Sequence, residues 1–315
     1  MGLERGGQRR REAGAVVTWN LSNQAQPPGT RASSSQAAAG TPAGRARPRV
    51  AAVSYLNTVP LVWGLLHGPQ RGVCEVHFDL PSLCARELSE GRADLGIVPV
   101  AEVWRNGWDT VPGACIACRG EVRSILLVSR KPWDRVETLA ADRGSRSSVL
   151  LARILLSRRY GSHPAVVERA PDLEAMLAEC DAALVIGDAA LRIDPAALAD
   201  PVLDLGAEWL SLTGLPMVFA TWSGPAAALA RFDRGLLVDT FLGSLDFGLR
   251  QMSALTAAES AARGFDPALV ERYLTRNVVF TLGAEERAGR DLYLRYAEEL
   301  QRSPAGPALA LEPSR

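Results

Sequence analysis

The stretch "RVAAVSYLNTVPLVWGLLH", residues 49–67, changes character in its middle. Its first half is a short apolar run of Val and Ala, the mark of a buried strand. Its second half, from Pro60, has the length and spacing of a helix. Between them lie Ser54, Tyr55, Asn57 and Thr58, hydrogen-bonding side chains with no charge among them. An N-cap, Asn57 or Thr58, with Pro60 in the first turn, accounts for one of the four and leaves three unexplained. A strand that enters a helix through such a junction is the first unit of an α/β protein, whose ligands gather at the carboxyl ends of strands.

The alternation continues outward. "CEVHFDL" (74–80) and "ADLGIVPV" (93–100) read as strands around the helix "PSLCARELSEG" (81–91). "VRSILLVS" (122–129), "PAVVERA" (164–170), "AALVIGD" (182–188) and "MVFATWSG" (217–224) are further strands, and "SRSSVLLARILLSRRYG" (145–161) is an amphipathic helix. Beyond residue 224 the pattern is mainly helical. The apolar strands 122–129 and 217–224 bracket a segment with strands and helices of its own. This predicts a domain inserted through two crossing strands: residues 48–124 and 222–302 in domain 1, 125–221 in domain 2, and a ligand cleft between them.

Composition removes several function classes. The chain has 315 residues, is 47% hydrophobic and carries no formal net charge. Residues 1–49 hold eight Arg against Glu4 and Glu12, a net of +6, so residues 50–315 carry −6, which argues against nucleic-acid binding. Lys131 is the only lysine and lies in a turn-like "RKPW", a poor setting for Schiff-base chemistry. Residues 1–47 are rich in Ser, Ala, Gly and Pro and are expected to be a disordered tail; 303–315 are expected to be a second tail. No apolar run reaches about 18 residues, and no export signal is complete, so no membrane association and a cytoplasmic location are expected. The five cysteines, including Cys115 and Cys118 in a CxxC, are expected to be reduced and to pack in the core. No metal site is expected, since a second ligand pair is missing.

His67, His77 and His163 have no partner at a telling spacing, and no hydrolase, zincin or nucleotide-binding motif is present. What remains is neutral and sits at strand ends. Ser54, Asn57 and Thr58 follow the first strand, and Ser124 lies at the first crossing. Ser145, Arg146, Ser147 and Ser148 open the amphipathic helix, where free N–H groups and the helix dipole suit an anion. Gly187 and Asp188 end a buried strand; Asp188 could equally be an N-cap. Thr213 and Pro216 precede the second crossing. Together they describe an interdomain cleft in which uncharged donors meet a small anion.

These segments resemble a known family. "VAAVSYLNTVPLVWGL", "ADLGIVPVAE", "CRGEVRSILLVSRKPW", "SRSSVLLARILL", "ALVIGDAAL" and "DLGAEWLSLTGLPMVFATW", in this order over residues 48–302, are similar to the chorismate dehydratases of the futalosine route to menaquinone. Ser147 departs from the pattern, where a threonine is expected; the hydroxyl is kept. The resemblance implies a type 2 periplasmic-binding-protein-like fold and dehydration of chorismate to 3-[(1-carboxyvinyl)oxy]benzoate with no cofactor. It implies catalytic roles for Asn57 and Ser54. Thr58, Ser124, Ser145, Arg146, Ser147, Ser148, Gly187, Asp188, Thr213 and Pro216 would then bind the substrate. Two other readings stay open: a non-catalytic binding or sensor protein for a small carboxylate, and the sister enzyme that forms 1,4-dihydroxy-6-naphthoate. The protein is expected to be a monomer or a homodimer.

Overall fold

The computed structural model describes residues 47–142 and 146–302. The remainder of the two expected tails, 1–46 and 303–315, and Ser145 lie outside the described residues. Strand β1 (Arg49–Val53) passes through a 3-10 turn (Leu56–Thr58) straight into α1 (Val59–His67). Then come β2 (Glu75–Asp79), α2 (Pro81–Ser89), β3 (Leu95–Pro99), α3 (Val100–Asn106) and β4 (Asp109–Cys118). The next elements are β5 (Ile125–Ser129), β6 (Thr138–Asp142), α4 (Arg146–Leu155), β7 (Ala165–Arg169) and α5 (Leu173–Glu179). They are followed by β8 (Ala182–Ile186), α6 (Gly187–Leu191), β9 (Val202–Asp204) and α7 (Leu205–Thr213). The chain closes with β10 (Met217–Gly224), α8 (Ala226–Leu229), α9 (Arg234–Arg250), α10 (Met252–Arg263), α11 (Pro267–Arg272), β11 (Val279–Thr281) and α12 (Ala284–Arg302).

Two sheets result, ordered β11-β4-β10-β3-β1-β2 and β7-β6-β8-β5-β9. Each contains the same device. β1 pairs in parallel with both β2 and β3, and β6 pairs in parallel with both β7 and β8. The chain leaves β1 and β6 for a neighbour on one side and then crosses back to the other side, so the carboxyl end of each is a topological switch point. The polar junction after β1 and the serine-rich start of α4 after β6 occupy these two places. β10 runs antiparallel to β3 and β4 and is buried along its whole length. The chain is thus back in the six-stranded sheet by Met217, earlier than the expected boundary after residue 221.

Packing joins the halves. One apolar cluster contains Cys115 and Ala117 of β4, Met217 and Val218 of β10, Leu139 and Leu184 of the second sheet, and Tyr293 of α12. Helix α1 lies close against α9: a Cβ on Gly248 would come within 2.4 Å of the Pro60 carbonyl. Ser244 of α9 donates to the Leu61 carbonyl at 2.8 Å and accepts from the Leu65 N–H at 3.1 Å.

Asp94 ties the start of β3 to the start of β1. Its carboxylate accepts from the Arg49 N–H at 2.9 Å, and from Arg49 Nη2 at 2.8 Å and Arg231 Nη2 at 2.9 Å. Burial works to raise its pKa, but the bonds and charges of Arg49 and the charge of Arg231 outweigh it and hold the carboxyl below its ordinary value. A lowered folded-state pKa contributes stability above the unfolded value of about 3.9 that is lost as pH falls through the folded one. Asp94→Asn is expected to cost about 1–2 kcal/mol at pH 7, the low end for charged bonds because the arginine partners are solvent-exposed. In urea titrations from pH 5 down to pH 2 the difference between the two proteins should shrink; a constant difference would show that the charge of Asp94 contributes nothing.

Candidate functional site

A small, partly open cleft lies between the carboxyl ends of the two parallel strand sets. The first sheet supplies Val53, Tyr55 and Asn57 after β1, Pro81 after β2, Pro99 after β3, and Ile116, Phe219 and Ala220 from its antiparallel strands. The second half supplies Val122, Ser124 and Ile125 at the crossing, Arg146, Ser147 and Ser148 from α4, and Ile186 and Gly187 from the end of β8. No Asp, Glu, His, Lys or Cys is among these lining residues, so the wall is an apolar shell with a few polar side chains aimed inward.

Each polar group has a structural cause. Asn57 sits in the 3-10 turn that continues into α1, and its Oδ1 is buried with no hydrogen-bond partner. An unpaired buried amide oxygen is costly, and a ligand donor would satisfy it. Asn57 thus lines the cleft with this oxygen unpaired. The Ser147 Oγ accepts from the Ala101 N–H of α3 at 3.2 Å, which spans the two halves. Arg146 pairs with the buried Glu102 at 3.2 Å, and Arg105 pairs with the same carboxylate oxygen at 3.2 Å. Two guanidinium groups share this carboxylate where α4 starts, and the helix dipole there favours an anion. Burial, reinforced by Asp142 and Asp188, pushes the Tyr55 phenol above its usual range and keeps it neutral.

Gly187 and Tyr55 meet across the cleft. Gly187 has φ +61, and a Cβ there would stand 2.9 Å from the Tyr55 ring. The glycine is needed both for the left-handed turn and for the aromatic face.

The matching family model, described as menaquinone biosynthesis, covers residues 48–299. The chain belongs to this menaquinone biosynthesis family. Protein AF1704 from Archaeoglobus fulgidus is similar in structure at TM-score 0.64 and 17% identity, over 80% of this chain and 97% of that one. The periplasmic aliphatic sulphonate binding protein SsuA from Escherichia coli matches at TM-score 0.55 and 15% identity, over 81% and 86%. The Candida albicans CA3427 product, described as having the generic periplasmic binding protein fold, matches at TM-score 0.52 and 11% identity, over 82% and 92%. The family member described here thus has a two-domain periplasmic-binding-protein-like fold and a role in menaquinone biosynthesis.

Within this menaquinone biosynthesis protein, the expected site residues divide. Asn57, Ser124, Arg146, Ser147, Ser148 and Gly187 line the cleft. Ser54 lies outside the lining; its N–H donates to the Asp79 carbonyl at 3.0 Å and its carbonyl accepts from Arg263 at 3.0 Å. Thr58 also lies outside, fully buried beneath α1. It makes no cap bond, because the 3-10 turn runs directly into the helix. Thr213 is spent on ending α7, its hydroxyl donating to the Trp209 carbonyl at 2.8 Å and accepting from Leu215 N–H at 3.1 Å. The Pro216 carbonyl accepts from the Trp209 indole at 3.2 Å, away from the cleft. Asp188 is neither N-cap nor cleft wall. Its carboxylate accepts from the Leu56 N–H at 3.1 Å and pairs with Arg263 of α10, so it latches α6 onto the 3-10 turn. The histidines stay out of the lining, and the cysteines are all buried, Cys115 and Cys118 within β4.

Asp188→Ala is expected to cost about 1–2 kcal/mol in chemical unfolding, because it removes one of the two carboxylates paired with Arg263 and leaves the Leu56 N–H without its acceptor. Asp188→Asn should cost less, since the bond to Leu56 survives. Equal losses for the two would mean the ion pair alone sets the latch.

Proposed function

We propose that this protein converts chorismate to 3-[(1-carboxyvinyl)oxy]benzoate and water. The observation that carries the reading is a cleft lined by a helix start with Arg146 and by neutral polar groups, with no Asp, Glu, His, Lys or Cys among its described lining residues, in a chain of the menaquinone biosynthesis family. Chorismate brings two carboxylates, a C3 proton and a C4 hydroxyl. Loss of the last two makes the ring aromatic, so the reaction asks the protein mainly for positioning and electrostatics.

The residues then take the following parts. Arg146 and the first N–H groups of α4, with Ser147 and Ser148, hold one carboxylate, and the Ser124 hydroxyl binds a carboxylate from the crossing. The Asn57 side-chain amide donates to the C4 oxygen and stabilises the hydroxide as it departs. The enolpyruvyl carboxylate of the substrate itself takes the C3 proton. The electron pair of that bond becomes the new ring double bond as the C4–O bond breaks, and hydroxide plus the proton make one water.

The test is purified protein with chorismate, following the aromatic product by absorbance and chromatography. Turnover is expected without added metal or nucleotide; binding without turnover would favour a sensor. Asn57→Ala is expected to lower kcat by about 10²–10³-fold. If it raised KM and left kcat intact, Asn57 would have no part in the transition state.

A further inference from the structure

Tyr273 carries none of the motifs above, yet it reaches the cleft from behind. It follows α11 at the start of a wide helical turn (Tyr273–Asn277) and is fully buried. Its hydroxyl donates to Ser124 Oγ at 2.9 Å. Its other hydrogen-bonding neighbour is the Asn57 side chain. One phenol thus stands behind two of the polar groups that line the cleft.

The direction of the Tyr273–Ser124 bond follows from the proton inventory. A serine hydroxyl has one proton and two lone pairs. If Ser124 donated to the phenol, the tyrosine proton would need Asn57 Oδ1 as its acceptor, and that oxygen has no partner. Tyr273 is therefore the donor, and burial keeps its phenol protonated by pushing the pKa far up. With a lone pair of Ser124 occupied, its own O–H turns elsewhere, and Ser124 lines the cleft. We infer that Tyr273 is a positioning residue that sets Ser124 as a hydrogen-bond donor toward a ligand carboxylate without touching the ligand. Because hydrogen bonds in series polarise one another, the phenol also strengthens that donor. The inference deepens the reading of the cleft as a dicarboxylate site and rests on it.

A double-mutant cycle tests it: wild type, Tyr273→Phe, Ser124→Ala and the double variant, with chorismate as substrate. Tyr273→Phe keeps the ring and should raise KM roughly tenfold through Ser124, the scale of one hydrogen bond. In the Ser124→Ala background the same change should move KM less than about twofold, because the group it acts through is gone. A merely structural tyrosine would give effects that multiply, and that outcome overturns the inference, as does a loss confined to kcat. If Tyr273→Phe does not fold, 3-fluorotyrosine at position 273 keeps ring and hydroxyl and makes a stronger donor. A KM change that vanishes with Ser124→Ala supports the assignment; equal KM in both forms, or the same change in both backgrounds, overturns it. Should wild type leave chorismate unchanged, the dehydratase reading fails separately. The same cycle is then read as Kd for isophthalate, an aromatic dicarboxylate, by calorimetry. Coupling there supports Tyr273, and additivity or no isophthalate binding overturns it.

Discussion

The carboxylate of Asp204 holds the place where the chain first crosses between the two halves. It accepts from the N–H groups of Val122 at 2.9 Å, Arg123 at 2.6 Å, Gly206 at 2.9 Å and Ala207 at 3.1 Å. Burial raises its pKa, and the four donors work against that rise. These bonds do two things at once. They cap α7 and they fix Arg123 at φ +65, a left-handed conformation that a non-glycine residue adopts only when its surroundings enforce it. The Arg123 guanidinium adds bonds to the carbonyls of Ala190 and Ile193. Ser124 is the next residue, so its position at the cleft follows from a turn that Asp204 dictates.

From that anchored crossing, the logic of the cleft is one of charge supplied from outside. Parallel strands ending at two facing switch points present helix starts and amides, which are dipoles that favour anions. Carboxylates nearby are engaged elsewhere: Glu102 by Arg105 and Arg146, Asp188 by Leu56 and Arg263, Asp204 by backbone. None lines the cleft. An acidic ligand would therefore meet no carboxylate among the described lining residues, and the apolar remainder of the wall would strengthen each bond it made.

Much of this was legible in the sequence because it is local. The junction at 53–61 and the serines of α4 announce themselves by polar residues placed where an apolar period breaks. Strands β4, β6, β9 and β11 carry no clear strand signal in the sequence. β4 contains Pro112 and Gly113, which look like a turn but here accompany register shifts against β10. β6 is Thr138–Asp142, mostly alanine and weak in strand propensity, and β9 and β11 have three residues each. Among the expected site residues, Asp188 and Thr213 bond backbone groups. Short polar side chains near helix ends look alike whether they face a ligand or close the backbone.

Tyr273 and Tyr293 show the other limit. Neither lies in a polar cluster, and both read as apolar-face residues of helical segments. Yet Tyr273 donates to Ser124 Oγ, and Tyr293 of α12 donates to the Ser147 carbonyl at 3.0 Å. Both phenols are buried, so each must find an acceptor, and the acceptors available lie on the cleft side of the fold. The chain after β10 thus belongs to neither strand-helix repeat but supports two serines that line the cleft. It packs α12 against β10 and α4, and places Tyr273 beneath the crossing. A C-terminal segment without a motif of its own consequently sets the geometry of two motifs more than a hundred residues upstream, a dependence that residue spacing cannot carry because it exists only through the buried hydroxyls.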